Sequence, residues 1–267
     1  MKNIFCILAL FITCSIHAQK ATAPVTDSGF YKSFDNTPIY YETSGAGKPV
    51  VLVHGFMGKG ESWKKSQLYT DLISSGYKVI LLDLRGNGKS GKPHTDEGYS
   101  NDAEAKDIIG LLHYLHVNDY YAVGYSRGSI IVSRLLMLDK NVQKAVMGGM
   151  GTGFTDSAWP RRIMFYEALS GKDVPQLAAV VKNVQQSGLD QTALALQQKW
   201  QPFTTPKQLG TISKPVLLVC GDKDEDNGAA PDLAAMIPGS KYVKVPGDHG
   251  GASKTKEFSN AVITFLQ

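Results

Sequence analysis

The feature that most constrains the fold is a series of short, mainly apolar runs that recur along the chain with helical segments between them. Continuous runs of this length, rich in Val, Ile and Leu, are typical of strands buried on both faces, as in a parallel sheet. The six runs are residues 50–53, 79–82, 121–123, 145–147, 216–219 and 242–245. A hairpin precedes them, predicted from 30–34, a turn at Asp35-Asn36 and 39–42.

Segments with helical spacing separate the predicted strands. The clearest has four apolar residues on one face: Ile108, Leu111, Leu112 and Leu115. Asn101, with Glu104 three residues later, is the predicted cap of this helix. Similar segments follow Ser62, Arg127, Ala229 and Thr255. Alternating strands and helices predict an α/β fold with a mostly parallel, doubly wound sheet.

The stretch from about 152 to 205 breaks this alternation, because it contains helical patterns at 162–169, 174–184 and 191–200 but no strand-like run. We interpret it as a small helical cap inserted between two strands. No repeat or long linker stands out, and 43% of the residues are hydrophobic, enough for one substantial core. The sequence therefore predicts a single domain over 19–267 that includes the cap.

Residues 1–18 have the layout of a cleavable secretory signal. Lys2 gives a basic start, residues 4–12 form an apolar run, and small and polar residues lead to Ala18. The run is shorter than the roughly 20 residues that span a membrane, which disfavours a transmembrane helix. We predict cleavage after Ala18 and a secreted or periplasmic chain with no stable membrane span. Lipidation of Cys14 is a weaker alternative, because no small residue precedes it.

The charge and the cysteines narrow the possible partners. Loss of Lys2 with the signal lowers the formal charge from +4 to +3, which is too mild to predict nucleic-acid binding. Cys220 is the cysteine that remains beyond residue 18, and its place at the end of an apolar run predicts a small buried side chain. The oligomeric state stays open.

The residues 121–129 carry the most informative motif. A strand runs into Gly124-Tyr125-Ser126-Arg127-Gly128, and a helical segment follows. In a nucleophile elbow of the form G-x-S-x-G, the glycines leave room for a sharp turn that lifts the serine above the sheet edge. Ser126 is the predicted nucleophile.

A serine hydroxyl needs a base that removes its proton and an acid that orients the base. Both residue types follow predicted strands downstream, with Asp222, Asp224 and Asp226 after 216–219 and His249 after 242–245. Spacing alone does not choose among the three carboxylates. Ends of neighbouring parallel strands are also where such sheets bind ligands.

Two more motifs complete a resemblance. His54-Gly55-Phe56 follows the strand at 50–53, and residues 83–90 read D-x-R-G-x-G-x-S, a structural loop beside the site in relatives. With the elbow and the Ser, Asp, His order, the chain resembles the α/β-hydrolase superfamily, in its serine esterase or lipase-like branch, from about residue 30 to the C-terminus outside the cap. The resemblance implies that the backbone N–H groups of Phe56 and Arg127 form the oxyanion hole.

In relatives the acid stands three residues after the glycine that ends its strand, which implies Asp224 after Gly221 and leaves Asp222 and Asp226 as neighbours. The resemblance implies a serine hydrolase that cleaves an ester or related acyl bond of a small molecule, with Ser126, His249 and Asp224 as its catalytic triad. The alternatives are an acyltransferase, a perhydrolase or a C–C bond hydrolase with the same triad, or a ligand-binding protein with little turnover. The cap aromatics that could line an acyl pocket are Phe154, Trp159, Phe165, Tyr166 and Trp200.

No cofactor or metal is predicted. Residues 86–91 fit G-x-G-x-x-G, but Pro93 opposes the helix that a dinucleotide phosphate would need. Gly88-Lys89-Ser90 lacks the first glycine of a P-loop, because Asp83 stands there. His113 and His116 share one helix face without a third metal ligand, so we interpret them as surface residues.

Overall fold

A computed structural model describes residues 26–267. The predicted signal at 1–18, its cleavage site and the start of the mature chain at Gln19 lie outside the described residues. Within them, the predicted alternation of strands and helices is confirmed.

Eight strands of the described chain form one sheet, in the order β1-β2-β4-β3-β5-β6-β7-β8. The strands are β1 (Thr26–Lys32), β2 (Pro38–Ser44), β3 (Lys48–Val53), β4 (Tyr77–Leu82), β5 (Tyr120–Tyr125), β6 (Val142–Gly148), β7 (Val216–Gly221) and β8 (Lys241–Val245). β1 and β2 form the predicted hairpin, β2 also pairs with β4 antiparallel, and the remaining pairs are parallel. The carboxyl ends of β3 to β8 therefore share one edge of the sheet.

The helices among residues 26–267 are α1 (Gln67–Ser74), α2 (Ala103–Tyr114), α3 (Arg127–Leu138), α4 (Pro160–Leu169), α5 (Ala178–Gln186), α6 (Gln191–Lys199), α7 (Pro206–Leu209), α8 (Ala230–Ala235) and α9 (Lys256–Leu266). Short 3₁₀ turns occupy Gly60–Lys65, Thr152–Thr155, Pro175–Leu177 and Ala252–Lys254. The helices that follow the sequence patterns begin within a few residues of the predicted positions.

Alternate residues of the central strands face opposite sides of the sheet. Val51 and Val53 of β3 pack in one apolar cluster with residues of α2, α3 and α8. Val50 and Leu52 pack in a second cluster with residues of α1 and α9. Because both faces are covered, the central strands need apolar residues at every position, which explains their continuous runs.

The helices α4, α5 and α6 lie between β6 and β7, where the sequence predicted a cap. Their buried apolar side chains, which include Leu169, Val184 and Leu194, form a small cluster of their own. Phe56 and Met57, from the loop after β3, pack against that cluster. The cap helices therefore contact the loop that the family resemblance assigns to the oxyanion hole.

The predicted cap of α2 is wrong. The residue before the helix is Asp102, with a left-handed φ of 59°, and its side chain makes no capping hydrogen bond. Asn101 also has a positive φ, of 55°. Glu104 is buried and forms an ion pair with Arg127, so a contact between two helices replaces the local capping bond.

Candidate active site

Ser126 lies in the turn between β5 and α3, with φ 54° and ψ −126°. A non-glycine residue rarely adopts a positive φ, so the backbone is strained at this position. The two glycines of the motif lie so close to neighbouring backbone atoms that a side chain at either position would clash. A Cβ on Gly124 would lie 2.4 Å from the carbonyl carbon of Gly128, and a Cβ on Gly128 would lie 2.2 Å from the oxygen of Val53.

The turn is also held by hydrogen bonds to β6. The N–H of Ser126 and the hydroxyl of Ser129 both donate to the carbonyl of Gly148, each over 2.8 Å. Backbone hydrogen bonding therefore holds Ser126 in its strained conformation, which leaves its hydroxyl free for other partners.

That hydroxyl lies beside a histidine. His249, in the loop after β8, has its Nε2 2.9 Å from Ser126 Oγ. Its Nδ1 lies 2.9 Å from one carboxylate oxygen of Asp224 and 3.1 Å from the other. The Asp224 side chain is 2% exposed and that of His249 is 23% exposed. The structure thus brings together the predicted nucleophile, base and acid.

The two neighbouring carboxylates have other contacts. Asp222 accepts a hydrogen bond of 2.8 Å from the N–H of Gly247, which ties the loop after β7 to the loop that carries His249. Asp226 lies 3.4 Å from Arg161 of the cap. Both side chains are exposed, and among the described residues Asp224 is the carboxylate that contacts His249.

Tyr125, the last residue of β5, supports the histidine from a second side. Its hydroxyl donates a 2.8 Å hydrogen bond to the backbone oxygen of His249, and the two rings lie 5.5 Å apart. Burial raises the pKa of Tyr125, so the hydroxyl keeps its proton and stays a donor. No sequence motif signals this role, because the partner lies 124 positions away in the sequence.

The segment after β3 lies against the nucleophile. A Cβ on Gly55 would be 3.3 Å from Ser126 Cβ and 3.8 Å from its Oγ. Phe56 follows directly, and both Phe56 and Arg127 line the same pocket as Ser126. Neither backbone N–H donates to an acceptor within residues 26–267, so both remain available to a ligand.

His54 holds this segment in place. The N–H of Leu84 donates to its Nε2 over 3.0 Å, so Nδ1 carries the proton and faces the oxygen of Gly55 at 2.8 Å. Burial lowers the pKa of His54, which favours this neutral form. Both ring nitrogens are therefore satisfied without a charge.

Arg127 is fixed by its side chain as well as by its helix. Its guanidinium makes two hydrogen bonds to Glu104, of 2.7 and 2.5 Å, and one of 3.3 Å to the backbone oxygen of Gln197 in α6. Bidentate pairs of this kind set the orientation of the side chain. Arg127, the first residue of α3, therefore contacts both α2 and the cap.

The loop at 83–90 is structural, as its sequence implied. Asp83 accepts hydrogen bonds from the N–H groups of Gly60 and Lys89, over 2.7 and 2.8 Å. Arg85 is fully buried and pairs with Asp107 over 2.6 Å and with Asp35 over 2.8 Å. Burial raises the pKa of Asp107 to about 6, and the Arg85 charge opposes this rise.

The pocket that contains Ser126 is small, with a volume of about 60 Å³. Of the five cap aromatics considered from the sequence, Trp159 and Phe165 line it, and Phe165 packs edge-on against Phe56 at 5.7 Å. Phe154 is instead buried in the core, and Trp200 is among the exposed large hydrophobic residues. A larger cavity of about 640 Å³ shares Phe56 with this pocket but is not lined by Ser126.

The remaining sequence candidates take no part in the site. His113 and His116 are exposed, and the described residues hold no group of three potential metal ligands. Cys220 is buried and free, and burial raises the pKa of its thiol to about 11. No helix in 26–267 is long and apolar enough to cross a membrane.

Comparison with known proteins places this architecture in a family. The sequence profile of the alpha/beta hydrolase fold matches residues 48–184, just over half of the chain. The chain belongs to the α/β-hydrolase family. The matched region contains the elbow at Ser126 and the segment at Phe56, whereas Asp224 and His249 lie beyond it.

By sequence, this α/β hydrolase is similar to non-heme haloperoxidases, and a solved esterase structure has the same fold. A candidate non-heme chloroperoxidase of Synechocystis sp. is 43% identical over 111 residues, 41% of this chain but only 39% of that protein's length. A non-heme haloperoxidase of Rhodococcus erythropolis is 25% identical over 89% of this chain and 99% of its own. The esterase structure from Exiguobacterium antarcticum matches with a TM-score of 0.73 and 24% identity, over 89% of this chain and 98% of that one, which shows the shared fold.

Proposed function

We propose that this α/β hydrolase cleaves an ester or related acyl bond of a small molecule through a serine nucleophile and an acyl-enzyme intermediate. The observation that carries the proposal is the continuous contact from Ser126 Oγ to His249 Nε2 and from His249 Nδ1 to Asp224, each over 2.9 Å. A carboxylate buried against Nδ1 keeps that nitrogen protonated, which leaves Nε2 as the base toward the hydroxyl.

The proton and bond changes follow from this arrangement. Ser126 Oγ attacks the acyl carbon and its proton moves to His249 Nε2, while Asp224 stabilises the imidazolium. The N–H groups of Phe56 and Arg127 stabilise the negative oxygen of the tetrahedral intermediate. The imidazolium then gives its proton to the leaving alcohol, and water attacks the acyl-enzyme with His249 again as base. The products are the free acid, the alcohol and the regenerated serine.

The test is an activity screen of the mature protein against p-nitrophenyl esters from acetyl to long-chain. Ser126→Ala should remove nearly all turnover yet leave the melting temperature nearly unchanged, since the strain of the elbow lies in the backbone and not in the hydroxyl. Ser253→Ala, which removes a hydroxyl from the turn after His249, is the matched control and should retain full activity. Equal turnover in Ser126→Ala and the parent would refute the nucleophile assignment.

Perhydrolysis is the second candidate, and the haloperoxidase names of the relatives favour it. In that reaction hydrogen peroxide replaces water as the nucleophile toward the acyl-enzyme, and a peracid is released in place of the acid. Product analysis with and without peroxide separates the two outcomes. If a fluorophosphonate labels Ser126 but no ester is turned over, a binding protein on the same fold is the better reading.

We further propose that the chain acts outside the cytoplasm. The support is the sequence of residues 1–18, with its basic start, apolar run and Ala18. A small-molecule substrate fits the small pocket around Ser126, and the mild positive charge gives no reason to expect nucleic acid.

A further inference from the structure

The arginines of this chain differ in whether a carboxylate lies beside them. All five lie in the described residues, and four have a carboxylate within 4.0 Å. These pairs are Arg85 with Asp35 and Asp107, Arg127 with Glu104, Arg134 with Asp102, and Arg161 with Asp226. Arg162 has no such partner in 26–267.

Arg162 lies in the first turn of α4, and its guanidinium contacts only carbonyl groups. Nη1 donates to the oxygens of Gln198 and Lys199 over 2.8 and 3.0 Å, and Nη2 donates to that of Ser157 over 2.8 Å. Its Nε is buried and has no acceptor among the described residues. These bonds fix the guanidinium at the C-terminal end of α6, whose carbonyl dipoles compensate part of its charge, but no carboxylate of the described residues pairs with it.

The pKa of Arg162 reflects this environment. Burial lowers it, and no carboxylate acts in the opposite direction. Desolvating a positive charge is unfavourable unless an anion compensates it. A bound anion would supply what the protein lacks at this position.

The location of Arg162 indicates where such an anion would come from. It lines the small pocket that also contains Ser126, Phe56, Arg127 and Arg161, and no acidic residue lines that pocket. Arg162 also borders a second pocket, which Ser157 and Lys199 line. An anionic group that enters the Ser126 pocket is therefore close to the nucleophile and to both proposed oxyanion donors. The pocket volume of about 60 Å³ admits a short acyl chain.

We propose that Arg162 selects substrates whose short acyl chain ends in a carboxylate, such as monoesters of small dicarboxylic acids. The inference rests on the proposed hydrolase function and names its substrate class. Water cleaves the ester of such a substrate to release a dicarboxylate and an alcohol. Arg162 binds the distal carboxylate and leaves the scissile carbonyl to Ser126.

The test compares monoethyl succinate with ethyl pentanoate, a neutral ester of similar size, in a pH-stat. We expect the parent to prefer the succinate in kcat/KM. Arg162→Gln should lower kcat/KM for the succinate about 10- to 100-fold, as for loss of a charge-assisted hydrogen bond, and that for the pentanoate less than about threefold. Arg162→Lys, which keeps the charge, should retain part of the preference.

Arg134→Gln is the matched control, because it removes the same charge from a position outside the Ser126 pocket, where Asp102 already compensates it over 2.8 Å. We expect less than about a threefold change for either substrate. An equal loss in the two variants would assign the preference to the general positive potential and overturn the role of Arg162.

Three further outcomes would overturn the proposal. The first is that the parent shows no preference for the succinate. The second is that Arg162→Gln loses equal kcat/KM on both esters, which indicates a purely structural role. The third is a preference only for 4-acetoxybenzoate over phenyl acetate, which places the carboxylate on the alcohol. If Arg162→Gln does not fold, inhibition of the parent by succinate but not by butyramide is the expected result, and equal inhibition contradicts it. Turnover of neutral esters without any effect of Arg162 rejects this inference alone, whereas turnover of no ester rejects the proposed function.

Discussion

Replacement of Asp224 by Asn tests the proposed triad at its acid. The carboxylate is almost fully buried, and both of its oxygens lie within 3.1 Å of His249 Nδ1. An asparagine would fill the same volume without the charge, and its amide could donate to Nδ1. That bond favours the tautomer with the proton on Nε2, where it blocks proton transfer from Ser126.

The expected loss is large because two effects combine. The histidine has the wrong tautomer, and its imidazolium loses its counter-charge in a buried position. The equivalent change in a serine protease lowers kcat about 10⁴-fold, which corresponds to about 5.4 kcal/mol of transition-state stabilisation. We expect Asp224→Asn to lower kcat by a factor of about 10³ to 10⁴ with little change in KM.

The neighbouring carboxylates provide matched controls. Asp222 only accepts the N–H of Gly247, and the amide oxygen of Asn can still do so. Asp226 is exposed and only 3.4 Å from Arg161 at its nearest, a geometry that contributes little. Asp222→Asn and Asp226→Asn should each lower kcat by less than about tenfold.

The assay is steady-state hydrolysis of p-nitrophenyl acetate by the three variants, with thermal unfolding as a check that each is folded. A folded Asp224→Asn protein with kcat within tenfold of the parent would refute the reasoning. So would a severe loss in Asp222→Asn or Asp226→Asn with Asp224→Asn unaffected.

Two further predictions concern other parts of the chain. Because burial lowers the pKa of His54, the unfolded state binds the proton more readily, so the free energy of unfolding should fall below about pH 6.5 by up to about 1.4 kcal/mol per pH unit. In urea unfolding from pH 7.5 to 5, the free energy of unfolding of His54→Asn should fall less with decreasing pH than that of the parent. Parallel pH profiles for the two proteins would contradict a neutral, buried His54. N-terminal sequencing of exported protein should give Gln19 as the first residue, whereas an intact Met1 in a soluble cytosolic pool would exclude cleavage.

The sequence predicted the features that depend on local patterns. The buried strands were evident because both faces of the central sheet are covered by helices, so their apolar runs are continuous. The elbow was evident because Gly124 and Gly128 must be glycine wherever backbones approach so closely. The position of His249 after a strand indicated the base, whereas spacing alone left three carboxylates open and the choice of Asp224 needed the family pattern.

Contacts between distant segments could not be predicted in this way. Glu104 fits a local capping rule, yet in the structure it binds Arg127, 23 positions away, because a buried guanidinium requires a counter-charge. The capping prediction failed because the tertiary ion pair takes precedence over a local bond. The unpaired state of Arg162 is also invisible in the sequence, since it depends on where every carboxylate of the described chain lies in space.

The strain at Ser126 connects the fold to the proposed chemistry. A residue in such a conformation costs on the order of 1–3 kcal/mol and persists only where its surroundings determine it. Here the surroundings are the two hydrogen bonds to Gly148 and the close approach of Gly128 to β3. None of these contacts uses the Ser126 hydroxyl, which instead meets His249. The fold thus maintains the turn through backbone and neighbouring groups, so the hydroxyl can be activated, or removed by mutation, without loss of the structure that presents it.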